Sequence, residues 1–110
     1  MPPLASVIVP VYNEANTLPD VLRALEATAA GDAGEVIAVD DGSTDTSGAI
    51  LNAWAAERSD RRVIHLPHNQ GKGAALRAGF ADARSEFGVV HDAAGEYAPA
   101  DPAALLAPLR

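Results

Sequence analysis

The chain has 110 residues, 48% of them apolar, with a formal net charge of −7 and no cysteine. That length and apolar share suit one small packed domain. The absence of cysteine excludes a disulfide framework, a thiolate metal site and a cysteine nucleophile, and the acidic balance argues against nucleic acid or anionic lipid headgroups as partners.

No run approaches the ~20 apolar residues of a membrane-spanning helix, and the N-terminus lacks the basic-then-apolar layout of a signal peptide, so a cytoplasmic location is expected. The first element is a strand, Ser6 to Val11 (SVIVPV), which runs into the loop YNEAN. Leu18, Val21, Leu22 and Leu25 then recur at helical spacing, with Asn16 or Thr17 as cap and Pro19 in the first turn. Glycines at 31 and 34 punctuate, and Glu35 to Val39 (EVIAV) is a second strand leading into DDGSTD. Ile50, Leu51 and Trp54 mark a second helix that Asp45 or Thr46 can cap. Arg62 to Leu66 reads as a short third strand. HNQGKG opens a third helix, with Leu76 and Phe80 one turn apart on a face shared with Ala75 and Ala83. Phe87 to Val90 is a fourth strand, and the loop 91–99 leads to a last short helix carrying Leu105, Leu106 and Leu109.

Strands and helices alternate, and the strands are continuously apolar rather than half polar. The expected fold is therefore α/β: three layers, with a mostly parallel sheet covered by helices on both faces. Ligands of such sheets bind outside the carboxyl ends of the strands. Each polar cluster here follows a strand, so YNE, DDGSTD, HNQGKG and HDAAGE are expected to share one rim.

Each cluster alone admits an ordinary alternative. Tyr12 and Glu14 offer an aromatic plane and a carboxylate, or plain loop polarity. The DDGSTD carboxylates suit a ribose hydroxyl or a base N–H, or a solvated turn in which Asp45 caps a helix. NQGKGAA fails both phosphate-loop signatures, since Gly73 stands where the P-loop needs Ser or Thr and Leu76 where the dinucleotide fingerprint needs Gly or Ala. A helix N-terminus beside Lys72, the single lysine, remains to attract an anion. Asp92 and Glu96 supply the one or two carboxylates that Mg²⁺ or Mn²⁺ needs when a diphosphate brings further oxygens. His91 reads as a strand-end residue, and no spacing suggests a nucleophilic triad.

Taken together, VIVPVYNEANTLPDVL, EVIAVDDGSTDTS, NQGKGAALRAGF and HDAAGEYAPADPAALLAPL resemble the N-terminal, donor-binding half of a family 2 glycosyltransferase, in the manner of the polyprenyl-phosphate sugar synthases. The resemblance spans residues 6 to 109 and implies the GT-A fold, with its Rossmann-like nucleotide-binding sheet. It implies an inverting transferase that moves a sugar from a GDP- or UDP-sugar to an acceptor such as a polyprenyl phosphate. Pro10, Tyr12, Glu14, Val39, Asp41, Asp92 and Ala93 then fall at nucleotide-sugar-binding positions, and Lys72 matches the NxGKG lysine. No catalytic residue is assigned.

Asp92 matches the first acid of the family's D-x-D motif, but the second acid is Ala94, and Glu96 lies where some relatives carry another metal contact. The expectation is weak or donor-dependent Mg²⁺ or Mn²⁺ binding at Asp92 and Glu96, because losing a carboxylate removes both charge and an oxygen ligand. The resemblance also stops before the acceptor half, so the single domain 1–110 is expected to be truncated, with a sheet edge and helix faces that favour homo-oligomers. The competing reading is a nucleotide-binding module that has lost catalysis. A phosphoacceptor signalling domain or a sugar nucleotidyltransferase fits less well, since neither one's diagnostic residues are in place.

Overall fold

The structure is a computed structural model and describes residues 5–26, 34–85, 87–91 and 106–108. The elements in chain order are β1 (Ala5–Val11), α1 (Leu18–Glu26), β2 (Gly34–Asp40), α2 (Ser47–Ala56), β3 (Arg61–His65), α3 (Lys72–Asp82), β4 (Phe87–Val90) and β5 (Leu106–Pro108). They form one sheet in the order β3-β2-β1-β4-β5, in which β1 to β4 are parallel and β5 is antiparallel.

β1 and β2 are buried along nearly their whole length because both faces are covered. Period-two alternation divides their side chains between two cores. Val7, Val9, Val11, Val36 and Ala38 pack with Leu18, Leu22 and Leu25 of α1 and Leu51 and Trp54 of α2. Ile8, Ile37 and Val39 face the other way, onto Ala75 of α3 with Leu76 and Phe80 against them. This is the three-layer arrangement expected from the unbroken apolar strands. Each fully buried Val, Leu or Ile contributes about 1.5–3 kcal/mol, so these two central strands carry much of the fold.

Gly79 lets α3 lie close to the sheet: a Cβ there would fall 2.5 Å from Ile8 Cγ2 and 3.3 Å from Val39 Cγ2. At the amino ends of the strands a buried polar network fastens the other end of α3. Glu35 Oε2 accepts from the Ser6 hydroxyl at 2.5 Å and from Arg84 N–H at 2.6 Å, and Oε1 accepts from Arg62 at 2.5 Å. Arg62 also reaches Asp82 at 2.8 Å, and Ser6 meets Ser85 at 2.6 Å. Burial would raise the Glu35 carboxyl, but the hydrogen bonds from Ser6 and Arg84 and the Arg62 charge outweigh it and hold it below its ordinary value.

The expected last helix is not formed at residues 106–108, which instead pair antiparallel with Phe87–Val89 of β4. The physical reason is the open edge of β4, whose backbone groups need partners. Pro108 is tolerated there because β5 is itself an edge strand.

Candidate functional site

Parallel pairing brings the carboxyl ends of four strands to one rim. Val11 stands opposite Asp40 and Asp40 opposite His65, while His91 N–H donates to the Ile8 carbonyl at 2.9 Å, continuing β4 beside β1. Pro10 shapes this rim. Backbone groups of Ile8 and Pro10 point to the same side of β1, so the N–H that proline lacks falls on the β4 side, just past the last registered pair, Ile8 with Val90. The β1–β4 ladder stops there.

Three loops meet on the rim. Asn13 adopts a left-handed backbone, φ 49°, which asparagine tolerates better than most residues. Its N–H donates to Ser43 Oγ at 3.0 Å, and its Oδ1 accepts from Thr44 N–H at 2.8 Å and Asp45 N–H at 3.3 Å. Glu14 N–H donates to Ser47 Oγ at 2.9 Å and Ala15 N–H to Asp45 at 3.2 Å. The YNEA loop is thus clasped onto STDTS. Asp45 also takes Ser47 N–H at 2.8 Å at the start of α2, while Thr46 makes no side-chain capping bond. Hydrogen bonds from the Ser47 hydroxyl and N–H lower the Asp45 carboxyl below its ordinary value.

A second join links DDGSTD to HNQGKG. Asp41 is 3% exposed, and its carboxylate accepts from Gln70 N–H at 2.8 Å, Gly71 N–H at 3.0 Å and Asn69 Nδ2 at 3.1 Å. Gly42, at φ +71°, lies so close that a Cβ would sit 2.4 Å from His68 C and 2.5 Å from Asn69 N. Only glycine fits this contact. Gly71 has φ +99° with nothing within 4 Å of its Cβ position, so it faces open space at the start of α3.

Between the loops lies a cleft of about 230 Å³ lined by Pro10, Val11, Tyr12, Glu14, Asp41, Asn69, Gly71, Lys72 and Ala75. Tyr12 is 42% exposed at its mouth. A wider groove of about 650 Å³ runs between α1 and α2 past Leu22, Ile50 and Trp54. Its charged residues are already engaged: Arg23 with Asp20, and Glu26 and Glu57 with Arg61. The rim cleft has the converging polar groups a ligand needs.

The cleft unites Pro10, Tyr12, Glu14, Asp41 and Lys72 from the sequence expectation. Val39 is separate, its side chain fully buried between sheet and α3. Asp92, Ala93, Ala94 and Glu96 lie outside the described residues. Among the described residues no group of three or more His, Asp or Glu side chains could hold a metal ion. Three of the roughly four acceptor positions of the Asp41 carboxylate are taken by N–H donors of the 69–71 loop.

Sequence reasoning missed Asn13, Asn69 and the Asp40–His65 pair. Asp40 is 5% exposed, accepts from Ser43 N–H at 2.9 Å and meets His65 Nδ1 at 2.9 Å. Burial would raise the Asp40 carboxyl, but hydrogen bonds from Ser43 and His65 outweigh it and lower it below 3.8. His65 Nε2 faces the Asn52 side-chain amide at 2.8 Å. The signal available was position: Asp40 and His65 each close a strand, and neighbouring parallel strands set such residues side by side.

The family described as "Glycosyl transferase family 2" matches residues 6–110. The chain is 45% identical over 94 residues to undecaprenyl-phosphate 4-deoxy-4-formamido-L-arabinose transferase of Pseudomonas aeruginosa (strain LESB58), covering 82% of this chain and 27% of that protein. Among solved structures it is similar to the mannosyltransferase PcManGT from Pyrobaculum calidifontis in complex with GDP-Man and Mn²⁺, with TM-score 0.74 and 31% identity over 84% of this chain and 28% of the other. It is also similar to S. aureus TarS 1–349 in complex with UDP-GlcNAc, with TM-score 0.72 and 29% identity over 82% of this chain and 26% of the other. The chain thus spans about a quarter of the length of these relatives.

Proposed function

Because this chain belongs to glycosyl transferase family 2, we propose that it forms the nucleotide-sugar-binding part of a glycosyltransferase, with the rim cleft as the donor site. The observation that carries the reading is the convergence of Tyr12, Glu14, Asp41, Gly71 and Lys72 on one cleft at the carboxyl ends of β1 and β2. At about 230 Å³ the cleft lies below the ~300–1,000 Å³ of a whole small-molecule site, which suits one portion of a nucleotide sugar.

In this assignment the Tyr12 ring stacks on the base. Asp41 serves twice: a carboxylate accepts about four hydrogen bonds, three are taken by the 69–71 loop, and the fourth is left for a base or ribose donor. Lys72 and the first N–H groups of α3 attract the phosphates, since a helix N-terminus favours negative charge. Asp92 and Glu96 would hold a Mg²⁺ or Mn²⁺, which supplies charge neutralisation on the departing diphosphate. With Ala94 in place of a second acid, that cation binds weakly without the donor. Attack by the acceptor oxygen on the anomeric carbon, opposite the diphosphate, inverts that centre.

A polyprenyl phosphate is the proposed acceptor, supported by the undecaprenyl-phosphate transferase of Pseudomonas aeruginosa. That acceptor would place the protein at the cytoplasmic face of a membrane; among the described residues no helix is long and apolar enough to cross one. Ala94 favours one second reading, a nucleotide binder without turnover.

Calorimetric titration of Mn²⁺ with and without GDP or UDP tests the assignment. Mn²⁺ should bind measurably tighter with nucleotide present. No heat from either nucleotide, with or without metal, would defeat it. Release of free sugar from a labelled nucleotide sugar by this chain separates the enzyme from the inert binder.

A further inference from the structure

We infer that His65, outside the cleft, is a positioning residue for it: through Asp40 it holds the turn from which both cleft walls are hung. The inference rests on the donor-site reading for its consequence in ligand binding, and on the hydrogen bonds alone for its mechanism. A carboxylate can only accept, so at 2.9 Å the His65 Nδ1 carries the proton it gives to Asp40 Oδ2. That bond leaves Asp40 Oδ1 turned to Ser43 N–H at 2.9 Å. Ser43 Oγ in turn receives Asn13 N–H at 3.0 Å, and Asn13 Oδ1 closes the clasp on Thr44 and Asp45. The adjacent residue, Asp41, carries the other wall through Asn69, Gln70 and Gly71. One turn therefore registers the Tyr12–Glu14 loop against the 69–71 loop, and the Asp40–His65 bond fixes its root.

Two further observations support a built arrangement. The imidazole is flanked at both nitrogens, since Nε2 lies 2.8 Å from Asn52 Oδ1 of α2. Gly48 leaves room for the pair: a Cβ there would fall 2.9 Å from Asp40 Oδ2 and 3.5 Å from His65 Cε1. His65 itself touches none of the cleft, whose lining residues do not include it. Its side chain is 42% exposed and belongs to neither apolar core.

The test compares His65→Leu, which fills similar volume without a donor, with His65→Gln, which keeps an N–H donor. Amide hydrogen exchange is read by NMR at Asn13, Ser43 and Thr44 in the unliganded protein, and the dissociation constants of GDP and UDP are measured with Mn²⁺. In His65→Leu exchange at these amides should speed up by about tenfold and nucleotide affinity fall by a similar factor, the size of a lost hydrogen bond to a charged group. His65→Gln should restore most of both, and the urea midpoint serves as the control for global stability. Unchanged exchange at Ser43 in His65→Leu, or equal defects in the Leu and Gln variants, would overturn the inference. If the wild type binds neither nucleotide, the donor-site reading fails, while the exchange rates still decide whether His65 holds the loops.

Discussion

Replacing Gly42 by alanine probes the closest contact of the candidate site. The added Cβ would lie 2.4 Å from the His68 carbonyl carbon and 2.5 Å from Asn69 N, both backbone atoms, so the 68–71 loop must retreat by about 1 Å to reach ordinary contact. That retreat stretches the bonds from Gln70 N–H and Gly71 N–H to the Asp41 carboxylate, now 2.8 and 3.0 Å. Losing one such charge-assisted bond costs about 1.5–3 kcal/mol. The left-handed backbone at φ +71° adds about 1–2 kcal/mol for a residue with a Cβ. The expected loss is about 2.5–5 kcal/mol, measured by urea denaturation, together with a marked loss of nucleotide affinity. Gly71→Ala is the control, because its Cβ meets nothing within 4 Å and only backbone strain remains, about 1–3 kcal/mol. If Gly42→Ala is no more destabilising than Gly71→Ala, the turn and the loop do not pack as described and the reasoning is wrong.

Gly79→Ala should cost about 1–3 kcal/mol by overpacking, because its Cβ would press on Ile8 at 2.5 Å beneath α3; a neutral effect in thermal unfolding would show that α3 rides higher on the sheet. Glu35 and Asp40 both have folded carboxyls below their ordinary values of 4.5 and 3.8, so each contributes stability that is present above its unfolded value and lost as pH falls through the folded one. Urea midpoints should therefore hold between about pH 7 and 5 and drop below about pH 4, with a shallower drop in Glu35→Gln; an unchanged acid slope in that variant would contradict the assigned network. Ala94→Asp should tighten Mn²⁺ binding in calorimetry by restoring a carboxylate ligand, and no gain would mean that the segment around Asp92 and Glu96 does not hold a cation.

The sequence made the layers legible because apolar continuity and helical spacing are local signals. SVIVPV and EVIAV have no polar face, which already requires cover on both sides, and the Leu18–Val21–Leu22–Leu25 spacing marks the buried stripe of α1. Shared placement on the rim followed from parallel pairing, and Tyr12, Glu14, Asp41 and Lys72 do meet there. What stayed hidden depends on partners far apart in the chain. Asp41 looked like a ligand group, yet most of its hydrogen-bonding capacity goes to a loop 28 to 30 residues away. Asn13 carried no signal of its own within YNEAN, because its part lies in bonds to residues 43–45. Val39 matches the motif, and its side chain faces the core beneath α3, so a ligand could meet only its backbone. The misread C-terminal segment has the same origin, since a few leucines among alanines and prolines do not distinguish a helix from an edge strand until a sheet edge is there to pair with.

The most direct test of the donor-site assignment is NMR chemical-shift mapping of the chain titrated with GDP and with UDP in the presence of Mg²⁺, which leaves the spectra unbroadened. The account predicts saturable shifts centred on Tyr12, Glu14, Asp41, Gly71 and Lys72, with residues of the α1–α2 groove such as Leu22 and Ile50 unmoved. Saturable shifts confined to that groove, or none at the rim with either nucleotide, would contradict it.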